Sequence, residues 1–429
     1  MHLPKEDFLY FIWQNQYILK HKLHTKNGEP VEILFPGFRN EGGGPDFTEA
    51  KIRIGGQLWF GNVELHVKAS DWYVHHHEKD PQYDTVILHA VYEYDMPVFN
   101  SKGAEIPALE LKNKIPPAIW ENYTRLQREK GVLKCARFMP VDPMLWKKWL
   151  ERLFVERMEE KTAAIVRTAE GLVNDWDEVL FRTLLRYFGM KANTDAFEAV
   201  ARAIGFKVFR KYLSEPEYLE ALLLGTAGLL QDTDTADTYI NRLQEHYRFL
   251  SAKHGLKPVT VPVKHGGMRP GNFPSVRLAQ FARLYHRHPH LFDELMSATD
   301  IKVAEQILHT DTSPYWEEHY LPGKKGKKRK KYTGKSFIRA LIINAVIPVR
   351  YAFYSYQGKD EKAFETVQLA TQLPPENNRI TRIYNELGLP LDHAADTQAV
   401  LRLNDYYCKR NNCINCAVGK HILTHENHR

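Results

Sequence analysis

The spacing of hydrophobic positions changes partway along the chain, and the change divides it. Over 47–54 polar and apolar side chains alternate, as on a strand with one buried face. Gly55-Gly56 then signals a tight turn. A second strand follows over 58–68, with Val63, Leu65 and Val67 on one face and Asn62, Glu64, His66 and Lys68 on the other. Residues 86–92 read as a further, buried strand. Ahead of them, 5–20 carries Phe8, Phe11, Ile12 and Tyr17 at helical spacing, with Glu6 as an additional acid.

Beyond about Lys112 the helical period takes over. Segments 145–169, 175–190, 195–213 and 218–231 are predicted helices joined by short Gly-, Pro-, Asn- or Ser-containing links, and helices dominate to about Leu403. No fixed-period repeat is evident. The predicted class is α/β plus all-α: a mixed α/β domain over 1–115, a larger helical domain over 116–403, and a cysteine-containing tail over 404–429.

Composition narrows the setting. A chain of 429 residues has room for two or three domains, and its formal charge of +7 is compatible with phosphate partners without demanding them. Four cysteines argue against a disulfide scaffold. The N-terminus lacks the charged-then-apolar order of a signal peptide, and no apolar stretch is expected to reach the length of a membrane span. The expectation is a cytoplasmic protein with no membrane association.

The candidate chemistry lies on the first hairpin. Asp46 follows Pro45 at the start of one strand, and Glu64 stands towards the end of its partner. Two carboxylates converging at one sheet edge invite a hard divalent cation, Mg²⁺ or Mn²⁺. Here the chain resembles the PD-(D/E)XK nuclease superfamily, through Pro45-Asp46 and Glu64-Leu65-His66. The resemblance implies a restriction-endonuclease-like core. In it Asp46, Glu64 and the Leu65 carbonyl bind the metal, and a lysine assists the attacking water. The lysine slot holds His66, with lysine next at Lys68, so His66 or Lys68 is left for that role; histidine can act as a base near neutral pH.

Downstream, His75 and His77 with Asp80 have donor types that suit a transition metal, although such a run is more often a solvated loop. Arg269 and Arg277 flank a Gly/Pro-rich loop that opens into a helix over 276–285. Ser275 is the expected cap, and the helix start could receive a phosphate. Lys324, Lys325, Lys327, Lys328, Arg329, Lys330 and Lys331 form a charge run expected to be a mobile loop able to hold a nucleic-acid backbone. Thr333-Gly334-Lys335-Ser336 imitates the end of a phosphate-binding loop but lacks the preceding glycine and strand, and is rejected as one.

In the tail, Cys408, Cys413 and Cys416 are spaced C-x4-C-x2-C, with Cys135, His421 or His425 as candidate fourth ligand. Some helicase-associated nucleases of the same superfamily resemble this distribution, with one upstream and three C-terminal cysteines around a [4Fe–4S] cluster. Zn²⁺ fits the residues equally. Over nearly its full length the chain also resembles the bacterial family named domain of unknown function 2851. That resemblance rests on Gly44-Pro45-Asp46-Phe47, Val63-Glu64-Leu65-His66, Ser70-Asp71-Trp72, Arg269-Pro270-x-Asn272-Phe273-Pro274 and Cys413-x-x-Cys416. The expected function is a metal-dependent nuclease acting on DNA, in repair or defence. The alternative is an inactive nucleic-acid-binding or assembly protein with a structural metal in its tail.

Overall fold

Gly55 and Gly56 both adopt positive φ, 58° and 87°, and close a two-residue turn between antiparallel strands. The computed structural model describes residues 3–131, 133–139, 141–231 and 237–425. The first helix, α1 (Glu6–Gln14), precedes β1 (Val31–Phe35), β2 (Phe38–Arg39), β3 (Phe47–Ile54) and β4 (Gln57–Lys68). After a short helix α2 (Asp71–Val74) and two 3-10 turns come β5 (Val86–Glu93) and β6 (Ala108–Glu110), and then α3 (Pro117–Arg128). The sheet runs β1-β3-β4-β5-β6 with β2 beside β3; β4 pairs antiparallel to β3 and parallel to β5.

The hairpin is not the simple alternation that its sequence suggests. Pairing runs regularly from Ile54↔Gln57 to Ala50↔Gly61, then shifts to Phe47↔Val63. The extra residue is taken up around Glu49, whose φ is 60°. This bulge places Phe47 in the core beside Ala50, Ile52 and Ile54, where unbroken alternation would have turned it outward. Val63 and Leu65 of β4 face the same core, against Phe8, Leu9 and Ile12 of α1. On the opposite face of β4, Glu64 and His66 are also buried.

Two compact units divide the chain. The first comprises Met1–Trp149, Leu387–Leu389 and Leu403–Arg429; the second comprises Leu150–Glu386 and Pro390–Arg402. The first unit thus continues past the expected boundary near 115 and takes back the tail. Ile414 and Leu423 enter its core, and Asn122 Nδ2 on α3 donates to the Leu423 and His425 carbonyls. The reason is hydrophobic: a tail carrying Ile414, Ile422 and Leu423 buries them by returning to α1 and α3.

The second unit is almost wholly helical, capped in part by aspartates; Asp175, for example, accepts the Glu178 N–H. Ser275 does not cap its helix. That helix, Pro274–Arg287, starts one residue earlier on a proline, and the Ser275 hydroxyl donates to the Tyr320 carbonyl. The basic run opens as a two-stranded ribbon, His319–Leu321 with Lys324–Lys325, instead of as a loop throughout. One expectation is corrected: Lys335–Tyr356 is by length and composition apolar enough to cross a membrane. About two thirds (67%) of its most apolar window is buried inside the fold.

Candidate metal centre

The bulge in β3 sets the register that matters. Carried one residue beyond Phe47↔Val63, the pairing puts Asp46 opposite Glu64; an unshifted ladder would have put it opposite Leu65. The two acids then clasp through main-chain donors. The Asp46 N–H donates to Glu64 Oε2 at 2.8 Å, and the Leu65 N–H donates to Asp46 Oδ2 at 3.0 Å. Arg39 on β2 donates to Asp46 Oδ1 and to the Asp46 carbonyl, both at 2.8 Å, and stacks on Tyr10. Both Asp46 oxygens are therefore engaged, while Glu64 Oε1 points elsewhere.

It points at histidines. His77 Nε2 comes within 3.3 Å of Glu64 Oε1, and His66 Nε2 within 3.7 Å. His66 Nε2 lies 3.1 Å from His75 Nδ1. One donor atom from each of His66, His75 and His77 falls within 4.8 Å of the others. The chain folds back here because His76 adopts a left-handed conformation, φ 61° and ψ 29°, between α2 and the following turn. His77 stacks on Tyr83 at 3.7 Å and meets the edge of Trp72. Behind His66 stands His89 on β5, its Nε2 2.8 Å from His66 Nδ1; its own Nδ1 is buried with no hydrogen-bond partner. Asp80 serves elsewhere, accepting the Gln82 N–H.

Burial dominates the electrostatics. It raises the Glu64 carboxyl above its ordinary range, and the neighbouring Asp46 charge adds to the rise, while His77 opposes it. Glu6, at the start of α1, is raised by burial against the pull of His75. Burial and the surrounding histidines push His66 down to about 2, and burial pushes His89 to about 3. His66 is therefore held in its neutral form. The Lys68 charge helps to lower the Asp95 carboxyl, after the hydrogen bonds from Ser70. His89 and Arg39 were not singled out in the sequence: His89 fell inside a run read as a buried strand, and Arg39 lies on the two-residue strand β2, which no periodicity marks.

None of the four cysteines is in a disulfide, and all four belong to the first unit. Burial raises the Cys135 thiol, and the charges of Cys408, Cys416 and Cys413 would raise it further. Burial also pushes Cys416 up to about 11, although its sulfur receives the Gly419 and Val418 N–H groups at the start of the helix Ala417–Thr424. Cys416 is buried and the other three are half-buried, and thiolates that raise one another in this way would be favoured by a cation between them.

The residues 6–379 match one family, described as a protein of unknown function, DUF2851. The chain belongs to that family. The DUF2851 match takes in the acids, the histidines and Cys135, and ends before Cys408, Cys413 and Cys416. No curated protein and no solved structure matches the chain.

The basic residues singled out in the sequence belong to the second unit of this DUF2851 protein. Arg269, Lys324, Lys325, Lys327, Lys328, Arg329 and Lys330 are exposed. Arg277 and Lys331 are not. The Arg277 guanidinium lies over the Phe337 ring and donates to Gln280 and Asn272. Lys331 Nζ donates to the Trp316 and Glu317 carbonyls. Both cations are used up inside the fold, so neither presents its charge to a phosphate.

Proposed function

We propose that this protein is a metal-dependent phosphodiesterase acting on nucleic acid, with DNA as its substrate, in repair or in defence against foreign DNA. The observation that carries the reading is the clasp of Asp46 and Glu64, two acids held side by side at one end of a mixed sheet. The order of α1, the β3–β4 hairpin, α2 and the parallel strand β5 supports the restriction-endonuclease-like core implied by the PD-(D/E)XK resemblance.

A bound divalent ion would lower the pKa of a water and polarise a phosphoryl oxygen. Glu64 presents Oε1 towards His66 and His77. Asp46, fixed by Arg39 and the Leu65 N–H, holds the Glu64 carboxylate in place through its own N–H. Mg²⁺ and Mn²⁺ are the ions first implied by the carboxylates. Arg269 and the exposed Lys324–Lys325 ribbon with Lys327, Lys328, Arg329 and Lys330 supply backbone-binding charge in the second unit.

Cys135, Cys408, Cys413 and Cys416 are suited to a [4Fe–4S] cluster or Zn²⁺, which would tie the tail to the first unit. Free thiols suit a reducing compartment, and the cytoplasm is the proposed location. A second reading, an inactive nucleic-acid-binding or assembly protein, is favoured by one observation: His66 occupies the lysine slot and is buried against His89 and His75.

The test compares the full chain with Glu64→Gln on labelled single- and double-stranded DNA and RNA, with Mg²⁺, Mn²⁺ or Zn²⁺. Cleavage by the wild type that falls at least about a hundredfold in the variant supports the hydrolase. Binding without cleavage under every condition supports the second reading and overturns the first.

A further inference from the structure

We propose that Glu64, His66, His75 and His77 form a binding site for a divalent transition-metal ion of the zinc type, with His89 as its positioning residue. The site lies at the centre on which the hydrolase reading rests. Its existence does not depend on what, if anything, is hydrolysed.

An ion about 2.0–2.1 Å from each nitrogen or oxygen donor requires ligand atoms about 3.3–3.4 Å apart in a tetrahedron. The measured edges are 3.1 Å from His66 Nε2 to His75 Nδ1, 3.3 Å from His77 Nε2 to Glu64 Oε1, and 3.7 Å from His66 Nε2 to Glu64 Oε1. These three edges are near the required spacing, and the His66, His75 and His77 donor atoms all lie within 4.8 Å of one another, with Glu64 beside His66 and His77.

Donor chemistry then selects the ion. Three imidazoles and one carboxylate suit zinc and its first-row neighbours, whereas Mg²⁺ seeks an oxygen shell and keeps its waters. Asp46 is the oxygen ligand that Mg²⁺ would need. It is held instead by Arg39, whose positive charge stands against the approach of a cation on that side.

The surroundings are also those of ligands. Coordination through His66 Nε2 requires the proton on Nδ1, and that N–H donates to His89 Nε2 at 2.8 Å. This fixes tautomer and ring plane together. Tyr83 and Trp72 clamp His77. His76 takes a left-handed conformation and is the corner between His75 and His77. His75 is the exposed member, so the site opens to water or a phosphate oxygen on its side.

Co²⁺ is the probe, because its absorption separates nitrogen and oxygen ligation from thiolate ligation at the cysteines. Full-length protein stripped with chelator and titrated anaerobically with Co²⁺ should bind one equivalent whose absorption lacks a thiolate charge-transfer band, in addition to any held at the cysteines. His75→Ala, a change at an exposed position, should lose that equivalent while keeping the circular dichroism of the wild type. Cys413→Ser should retain it. His89→Phe should weaken it about 10–100-fold, and a large excess of Mg²⁺ should not displace it. The proposal is overturned if His75→Ala binds Co²⁺ with the stoichiometry and spectrum of the wild type, or if Mg²⁺ displaces the ion. Co²⁺ binding without nuclease activity would leave this site standing and remove only the hydrolase.

Discussion

Asp46 and Glu64 hold each other through the backbone: each carboxylate accepts an N–H from the other's side of the hairpin, at 2.8 and 3.0 Å. The arrangement couples stability to the candidate chemistry. Asp46→Ala removes the acceptor of the Leu65 N–H and the partner of Arg39, leaving a buried donor unsatisfied at a cost of about 1–3 kcal/mol. Asp46→Asn keeps an acceptor oxygen. Urea unfolding should show Asp46→Ala destabilised by that order and Asp46→Asn by less. Equal losses would mean that the carboxylate's charge, and not the Leu65 hydrogen bond, carries the stability.

Gly419 stands where the helix Ala417–Thr424 crosses the turn at Cys413. A Cβ there would fall 1.9 Å from the Cys413 carbonyl oxygen and 2.8 Å from its carbon, both main-chain atoms that cannot swing aside. Gly419→Ala must therefore displace the turn that carries Cys413 or the helix start that receives Cys416. Destabilisation of about 1–3 kcal/mol or more is expected. Iron or zinc retained at the cysteines should fall with it. Metal content measured after anaerobic purification checks this, and an unchanged content in a destabilised protein would separate the cysteines from any metal.

The parts legible in the sequence were those set by local pattern. The Gly55-Gly56 turn, the two hairpin strands and the helical spacing beyond 145 follow from periodicity and turn chemistry. The bulge at Glu49 did not: a residue with φ of 60° is chosen by the packing of Phe47 into the core, a tertiary effect with no sequence mark of its own. His89 was hidden for a similar reason, since strand periodicity shows which face a residue occupies but not which histidine from another strand will meet it. The return of the tail to α3 depends on where Ile414 and Leu423 find apolar surface, about 300 residues away in sequence.

Glu220 offers a prediction about pH in the second unit. Its carboxylate is fully buried, accepting from Trp316 Nε1 at 2.6 Å and Tyr239 Oη at 3.0 Å, and burial raises its pKa from 4.5 to about 7. Below about pH 4.5 it is protonated in folded and unfolded chains alike. Between there and pH 7 the unfolded chain loses the proton that the folded chain keeps, so stability falls as pH rises and then levels. The full span amounts to roughly 3 kcal/mol. Glu220→Gln should flatten the melting temperature between pH 5 and 8. Parallel wild-type and variant curves would refute the assignment.

Arg277 and the exposed lysines separate structure from binding within one unit. Arg277 is buried, with its guanidinium bonded to Gln280 and Asn272 and stacked over Phe337, and burial lowers its pKa to about 10. Arg277→Ala removes both packing and hydrogen bonds, so a loss of about 2–4 kcal/mol in unfolding free energy is expected. Nucleic-acid affinity, measured where the variant is still folded, should not change. Replacing Lys327, Lys328 and Lys330 with glutamine removes three exposed charges and should leave stability within about 0.5 kcal/mol. If the run holds a backbone, the slope of log K against log salt should become shallower by about 2–3. Fluorescence anisotropy with a labelled duplex over a salt series measures both effects, and an unchanged slope in the triple variant would exclude this run as the contact.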